Sequence, residues 1–148
     1  MHVDGEHRFP APRSTVFAMI TDPEVLKAVL PGCQEFREVG EGAYRVVLTL
    51  NLIAFSANVS GDVQFSAVQP PESYHVQVSG SGSLGSLDIG VDMALSEAGP
   101  DTVVRYSVEI EATGVLGAMG PVVIQPAAGT ILGQFMGALE KEVAKRDS

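Results

Sequence analysis

The sequence predicts an α+β domain in which a strongly curved antiparallel sheet of about six to seven strands wraps a long C-terminal helix, with two short helices after the first strand. Three observations lead there. From about Val115 to Lys145, Ile124, Ala128, Ile131, Phe135, Leu139 and Val143 recur at intervals of three or four, which lines them along one helix face. From Cys33 to Ala112, apolar and polar residues alternate through runs broken only by short turn-forming stretches, the pattern of an antiparallel meander. A helix of about thirty residues reaches roughly 45 Å, longer than any one strand, so it has to lie across many strands.

The elements follow in order. Val3, Gly5, His7 and Phe9 alternate with Asp4, Glu6 and Arg8, a first strand that ends before Pro10. Pro12 is placed as a first helical residue, with Val16, Phe17 and Ile20 as a short apolar face. Asp22, Pro23 and Glu24 then supply an N-cap, a proline at the first position and an acid in the first turn of a second short helix, which Pro31 and Gly32 close. The meander is cut at Gly40 to Gly42, Ile53 to Ala54, Gln69 to Glu72, Gly80 to Gly85 and Ala98 to Asp101. In the long helix, Pro126 predicts a kink, or else a separate start near Pro121 with Gly120 before it.

Composition sets bounds on function. At 148 residues with 45% hydrophobic composition, residues 1–148 form a single domain large enough for a real core. The single cysteine, Cys33, excludes an internal disulfide and reads as part of a turn. Neither a secretory signal nor an uninterrupted apolar run of membrane-spanning length is read in the chain, so a cytoplasmic protein is expected. Eighteen acidic against nine basic residues, net charge −9 with no basic stripe, argue against nucleic acid as a partner. Lys141, Lys145 and Arg146 answer the negative end of the helix dipole. His2, His7 and His75 lie too far apart in sequence to suggest a metal site.

The alternation gives the sheet a dry face, read as free of acids and histidines, and a wet face carrying Asp62, Gln64, Gln77, Asp88, Asp92, Arg105, Glu109 and Glu111. Small inward residues Ala57, Gly61 and Ala67 oppose a helix middle of low bulk, Ala127, Ala128, Gly129, Gly133 and Gly137, which suggests a cavity between sheet and helix. Its expected lining is Phe55, Phe65, Met93, Met119, Ile131 and Phe135, with Tyr44, Tyr74 and Tyr106 offering hydroxyls to a polar headgroup. The expected gate lies among Leu30, Gly82, Gly85, Leu116 and Gly120, where the cover is short and rich in glycine. No catalytic residue is expected on a dry face without an acid or histidine.

Asp22-Pro23-Glu24-Val25-Leu26 followed by Leu30-Pro31-Gly32-Cys33, with Pro70-Pro71-Glu72-Ser73-Tyr74 and the spaced Gly80, Gly82 and Gly85, resembles the CoxG family, named for the G subunit of carbon monoxide dehydrogenase. That family belongs to the START-like (SRPBCC) superfamily of helix-grip folds, and the resemblance covers nearly the whole chain. It implies an accessory protein that assists assembly or membrane recruitment of a molybdenum hydroxylase of the carbon monoxide dehydrogenase type. It further implies an apolar small-molecule ligand, a lipid or quinone, without an obligatory cofactor. Many members carry a C-terminal tail suited to membrane attachment, whereas this sequence stops at Ser148, so peripheral rather than permanent membrane contact is expected. Two alternatives stay open. One is a polyketide cyclase or hydratase, which would need Asp62 or Glu109 turned inward by a register shift; the other is a protein-interaction adaptor with a filled core.

Overall fold

The computed structural model describes residues 1–51 and 56–147. The order is β1 (His2–Phe9), α1 (Arg13–Ile20), α2 (Pro23–Val29), β2 (Cys33–Gly40), β3 (Ala43–Asn51), β4 (Ser56–Gln69), β5 (Ser73–Gly82), β6 (Gly85–Ala98), β7 (Asp101–Ala112), α3 (Gly114–Met119) and α4 (Pro121–Asp147). All seven strands form one curved antiparallel sheet, in the order β1-β7-β6-β5-β4-β3-β2, so every neighbouring pair but β1 and β7 is consecutive in the chain.

Local chemistry explains the helix boundaries. Asp22 caps α2 by accepting the Glu24 amide at 2.9 Å, with Pro23 in the first turn. Pro12 is the residue before α1 rather than its first helical position. The long helix is divided, and the break falls at the Gly120–Pro121 step. Gly120 has φ 72°, a backbone conformation that glycine adopts without steric cost, and Pro121 supplies a preset first-turn φ to α4. α4 still runs 27 residues, about 40 Å at the usual rise, and Pro126 lies inside it.

The register carries the alternation across the sheet. Val46, Gly61, Gly80, Leu87 and Ala112 form one cross-strand row, and Tyr44, Val63, Val78, Ile89 and Ile110 the next. Phe65, Val76, Val91, Val108 and Val3 form a third. Asp62, Gln64, Gln77, Asp88, Asp92, Arg105, Glu109 and Glu111 alternate with these and are exposed.

Two residues depart from the expected faces. Ala67 has φ 50° and is exposed, because the β4–β5 register slips between Ser66 and Gln69 and turns it out of the inner row. His7 lies opposite Val104, in line with Leu95, so the helix side of the sheet does carry a histidine at its β1 edge. Its Nε2 is 2.7 Å from Glu140 Oε1 of α4. The polar tie lies beside the core, where α4 passes the edge strand.

The groove of the sheet is filled unevenly. One half holds a continuous core of Phe9, Val16, Phe17, Ile20, Val25 and Leu26, packed with Leu95 and Val104 from the sheet and Phe135, Met136, Leu139 and Val143 from α4. Leu139 and Val143 are fully buried, which stabilises the fold by about 1.5–3 kcal/mol for each such side chain. Thr102 is buried there too, and its hydroxyl donates to the Ala11 carbonyl at 2.8 Å. Thr102→Val keeps the shape but strands that carbonyl, so a loss of about 1–3 kcal/mol is expected in equilibrium urea unfolding. An unchanged midpoint would show that the carbonyl finds another partner.

By length and composition, Pro121–Lys145 of α4 is apolar enough to cross a bilayer, which a search for uninterrupted apolar runs does not register. Only 17% of its most apolar window is buried, so the face that does not meet the sheet leaves much apolar surface uncovered.

Candidate functional site

The other half of the groove is not filled. α3 and the first half of α4 roof it, and between roof and sheet lies a partly enclosed cavity of about 210 Å³. The floor comes from Val46 and Leu48 of β3, Val59 and Gly61 of β4, Val78 and Gly80 of β5, Leu87, Ile89 and Val91 of β6, and Val108 and Ile110 of β7. The roof comes from Leu116 and Met119 of α3 and Val123, Ile124, Ala127, Ala128, Ile131 and Leu132 of α4.

Small residues leave the space open. Gly61 and Gly80 pair across β4 and β5, and a Cβ at Gly80 would come 2.8 Å from a methyl of Val59. On the roof, Ala127 and Ala128 project too little to reach the floor. Gly129 and Gly133 are exposed, so the alanines rather than the glycines of α4 shape the void. Every lining residue is Val, Leu, Ile, Met, Ala or Gly. An apolar cavity of about 150 Å³ in an engineered protein stays dry and takes up benzene, so a larger one without polar lining is suited to hydrocarbon.

The expected site residues divide between the two halves. Met119, Ile131 and Leu116 line the cavity. Tyr44, Phe65 and Tyr74 stand beside it in a row of aromatic rings: Phe36 to Tyr44 at 5.0 Å, Tyr44 to Phe65 at 5.8 Å, Phe65 to Tyr74 at 5.5 Å and Tyr74 to Phe17 at 5.6 Å. The row runs from a second buried cluster, Tyr44 with Val46 and Val63, to the main core at Phe17 of α1. Burial pushes the Tyr74 phenol well above its ordinary pKa, and burial followed by the charge of Glu38 raises that of Tyr44. Both hydroxyls therefore stay protonated at neutral pH.

Phe135 and Met93 are buried in the core, and Leu30 packs partly buried against it. A Cβ on Gly5 would meet the Tyr106 hydroxyl at 2.5 Å, which shows how closely that ring covers β1. Gly82 and Gly85 pair at the β5–β6 hairpin and Gly120 forms the α3–α4 elbow, so these gate candidates lie along the roof's edge. Phe55 lies outside the described residues. Sequence reasoning missed Val59, Val78, Ile89, Ile110 and Leu132 as lining. Their alternation gives the face but not the half of the groove they occupy.

Tyr74, Met93 and Tyr106 border a second, more open depression of about 370 Å³, together with His75, Asp92, Arg105 and Ser107. It is larger, yet its charges are already engaged: His75 Nδ1 is 2.8 Å from Asp92, and Arg105 Nε donates to Glu6 at 3.1 Å. The hydrogen bond to Asp92 raises the pKa of His75. Paired surface charges leave little for a ligand, so the dry cavity is the stronger site. Cys33 is half-buried, with its Sγ 3.4 Å from the Glu35 carbonyl, and burial raises its pKa, the opposite of an activated thiol. Among the described residues no group of three or more His, Cys, Asp or Glu could hold a metal.

The model of the CoxG family, the G subunits of carbon monoxide dehydrogenase, matches residues 5–144. Among solved structures, a conserved protein from Geobacillus kaustophilus superposes with TM-score 0.94 at 22% identity, covering 98% of this chain and 96% of that one. A START superfamily protein from Mycobacterium smegmatis gives 0.74 at 15% identity and 97% of each chain. The Zhui aromatase/cyclase from Streptomyces sp. R1128 gives 0.72 at 12% identity, covering 100% of this chain and 96% of that one. A comparison with curated proteins gives no match. At these identities the structural likeness establishes the START-like helix-grip fold.

Proposed function

We propose a function that proceeds from one fact: the chain belongs to the CoxG family of carbon monoxide dehydrogenase G subunits. It acts as a noncatalytic accessory protein that holds the hydrocarbon part of a lipid or quinone-like molecule between sheet and helix. In that capacity it assists assembly or membrane recruitment of a molybdenum hydroxylase of the carbon monoxide dehydrogenase type. The observation that carries the ligand reading is the wholly apolar lining of a 210 Å³ cavity. Leu116, Met119 and Ile131 touch the ligand, while the ring row from Tyr44 through Phe65 to Tyr74 closes the inner end. Gly82, Gly85 and Gly120 border the side through which it passes.

The family's accessory character supports the partner assignment. A cyclase-like reaction would need an acid or histidine that reaches the bound molecule, and no such side chain belongs to the described lining. Native mass spectrometry of the purified chain, after exposure to extracted bacterial lipids or to menaquinone, tests the proposal. A ligand-bound species that survives desalting is expected. Failure to retain any lipid or quinone would overturn the reading.

A further inference from the structure

The edge of the cavity roof is set apart by its charge. Residues 112–139 contain no Asp, Glu, Lys, Arg or His, although the chain has eighteen acids and nine bases. Residues 76–87, which include the β5–β6 hairpin, contain none either. The fold brings the two together. The Leu116 amide donates to the Leu84 carbonyl at 2.9 Å, and the Thr113 amide to that of Ser86 at 3.0 Å. On this neutral rim the elbow exposes valines: Val122 is 86% exposed and Val115 51%. The nearby charged side chains lie on the other face of the sheet, where Asp88 pairs in register with Glu111, and His2, Asp4 and Glu109 form a hydrogen-bonded group, while the Met1 ammonium is held by the Ile110 carbonyl at 2.8 Å.

We infer that the α3–α4 elbow and the adjoining β5–β6 hairpin dock on the interfacial region of a lipid bilayer, with the acidic outer face turned away. Exposed valines on an uncharged rim lose water at no cost in charge desolvation, and only the rim, not the strongly acidic outer surface, can approach anionic headgroups without repulsion. The same elbow contributes Leu116 and Met119 to the cavity, so docking places the cavity beside the phase in which an apolar molecule dissolves. The inference rests on the ligand-carrying reading for its purpose, but not for its geometry.

The chain contains no tryptophan, so Val122→Trp introduces a single emitter at the elbow, and Val39→Trp, at a 54% exposed site on β2, serves as the comparison. Vesicles of phosphatidylcholine, alone and mixed with phosphatidylglycerol, should shift only the elbow emitter to the blue. Co-sedimentation of the otherwise unchanged chain with the same vesicles should depend little on salt, and Val122→Asp should weaken it by roughly tenfold with an unchanged melting temperature. Equal shifts at both sites, no shift at either, or full vesicle binding by Val122→Asp would overturn the inference. So would a dimer in sedimentation velocity that Val122→Asp dissociates, since the elbow would then face a second copy. Retention of menaquinone added from ethanol is measured separately. If vesicle binding fails while retention persists, docking is wrong and the carrier reading stands; if retention fails, the carrier reading falls whatever the vesicles show.

Discussion

Phe135→Ala is expected to destabilise the protein by roughly 3–5 kcal/mol, seen as a lower urea midpoint at an unchanged slope. Phe135 is 8% exposed and sits where α4 passes from roof to core, beside the fully buried Leu139 and Met136. Its neighbours come from rigid elements on several sides, so they cannot collapse into the space a ring leaves behind. The cost therefore includes both lost transfer free energy and a new void, one that would extend the existing cavity toward α1 and α2. A loss below about 1 kcal/mol would mean that α4 settles onto the sheet and that the core half of the groove is less rigid than its packing implies.

Ala128→Phe is expected to do the reverse, lowering retention of a quinone or lipid by roughly an order of magnitude or more while leaving stability unchanged or improved. Ala128 belongs to the cavity roof, so a ring placed there occupies space otherwise available to ligand, and it meets only apolar partners. Urea unfolding and ligand titration of the same variant separate the two effects. Undiminished binding by a folded variant would place the ligand elsewhere, the depression beside His75 and Asp92 being the next site to probe.

These two substitutions mark what could be read from the chain. The spacing of Phe135, Leu139 and Val143 identifies the buried face of α4, because a helix commits every third or fourth residue to one side. The alternation from Tyr44 to Ile110 likewise gives the inner face of each strand. Position along the groove is another matter. Tyr74 and Phe135 face inward as the pattern requires, but α1 and α2 pack over that half, and neither helix has a periodicity that states which half it covers. Met119, Ile131 and Ala128 were legible as cavity residues because they lie in or next to the small-residue stretch of the helix. Ala67 was misplaced because a register slip in β4 looks the same as regular alternation until the partner strand is known. His7 shares the alternation of Val3 and Phe9, but only the pairing of β1 with β7, far along the chain, joins that side of the strand to the dry face of the meander.

That distant pairing has a consequence for chain entropy. The other neighbouring strands are separated by only two to four residues in the chain, whereas β1 meets β7 only after the chain closes a loop of about a hundred residues, between partners such as His7 and Val104. Loop-closure entropy grows with the logarithm of length, so a loop about thirty times longer than a hairpin's costs roughly 3 kcal/mol more to close. The eight-residue β1 and the His7–Glu140 tie to α4 offset that cost at one edge of the sheet. Lengthening any turn between β1 and β7 adds only fractions of a kcal/mol to it, whereas loosening β1 releases the whole constraint at once.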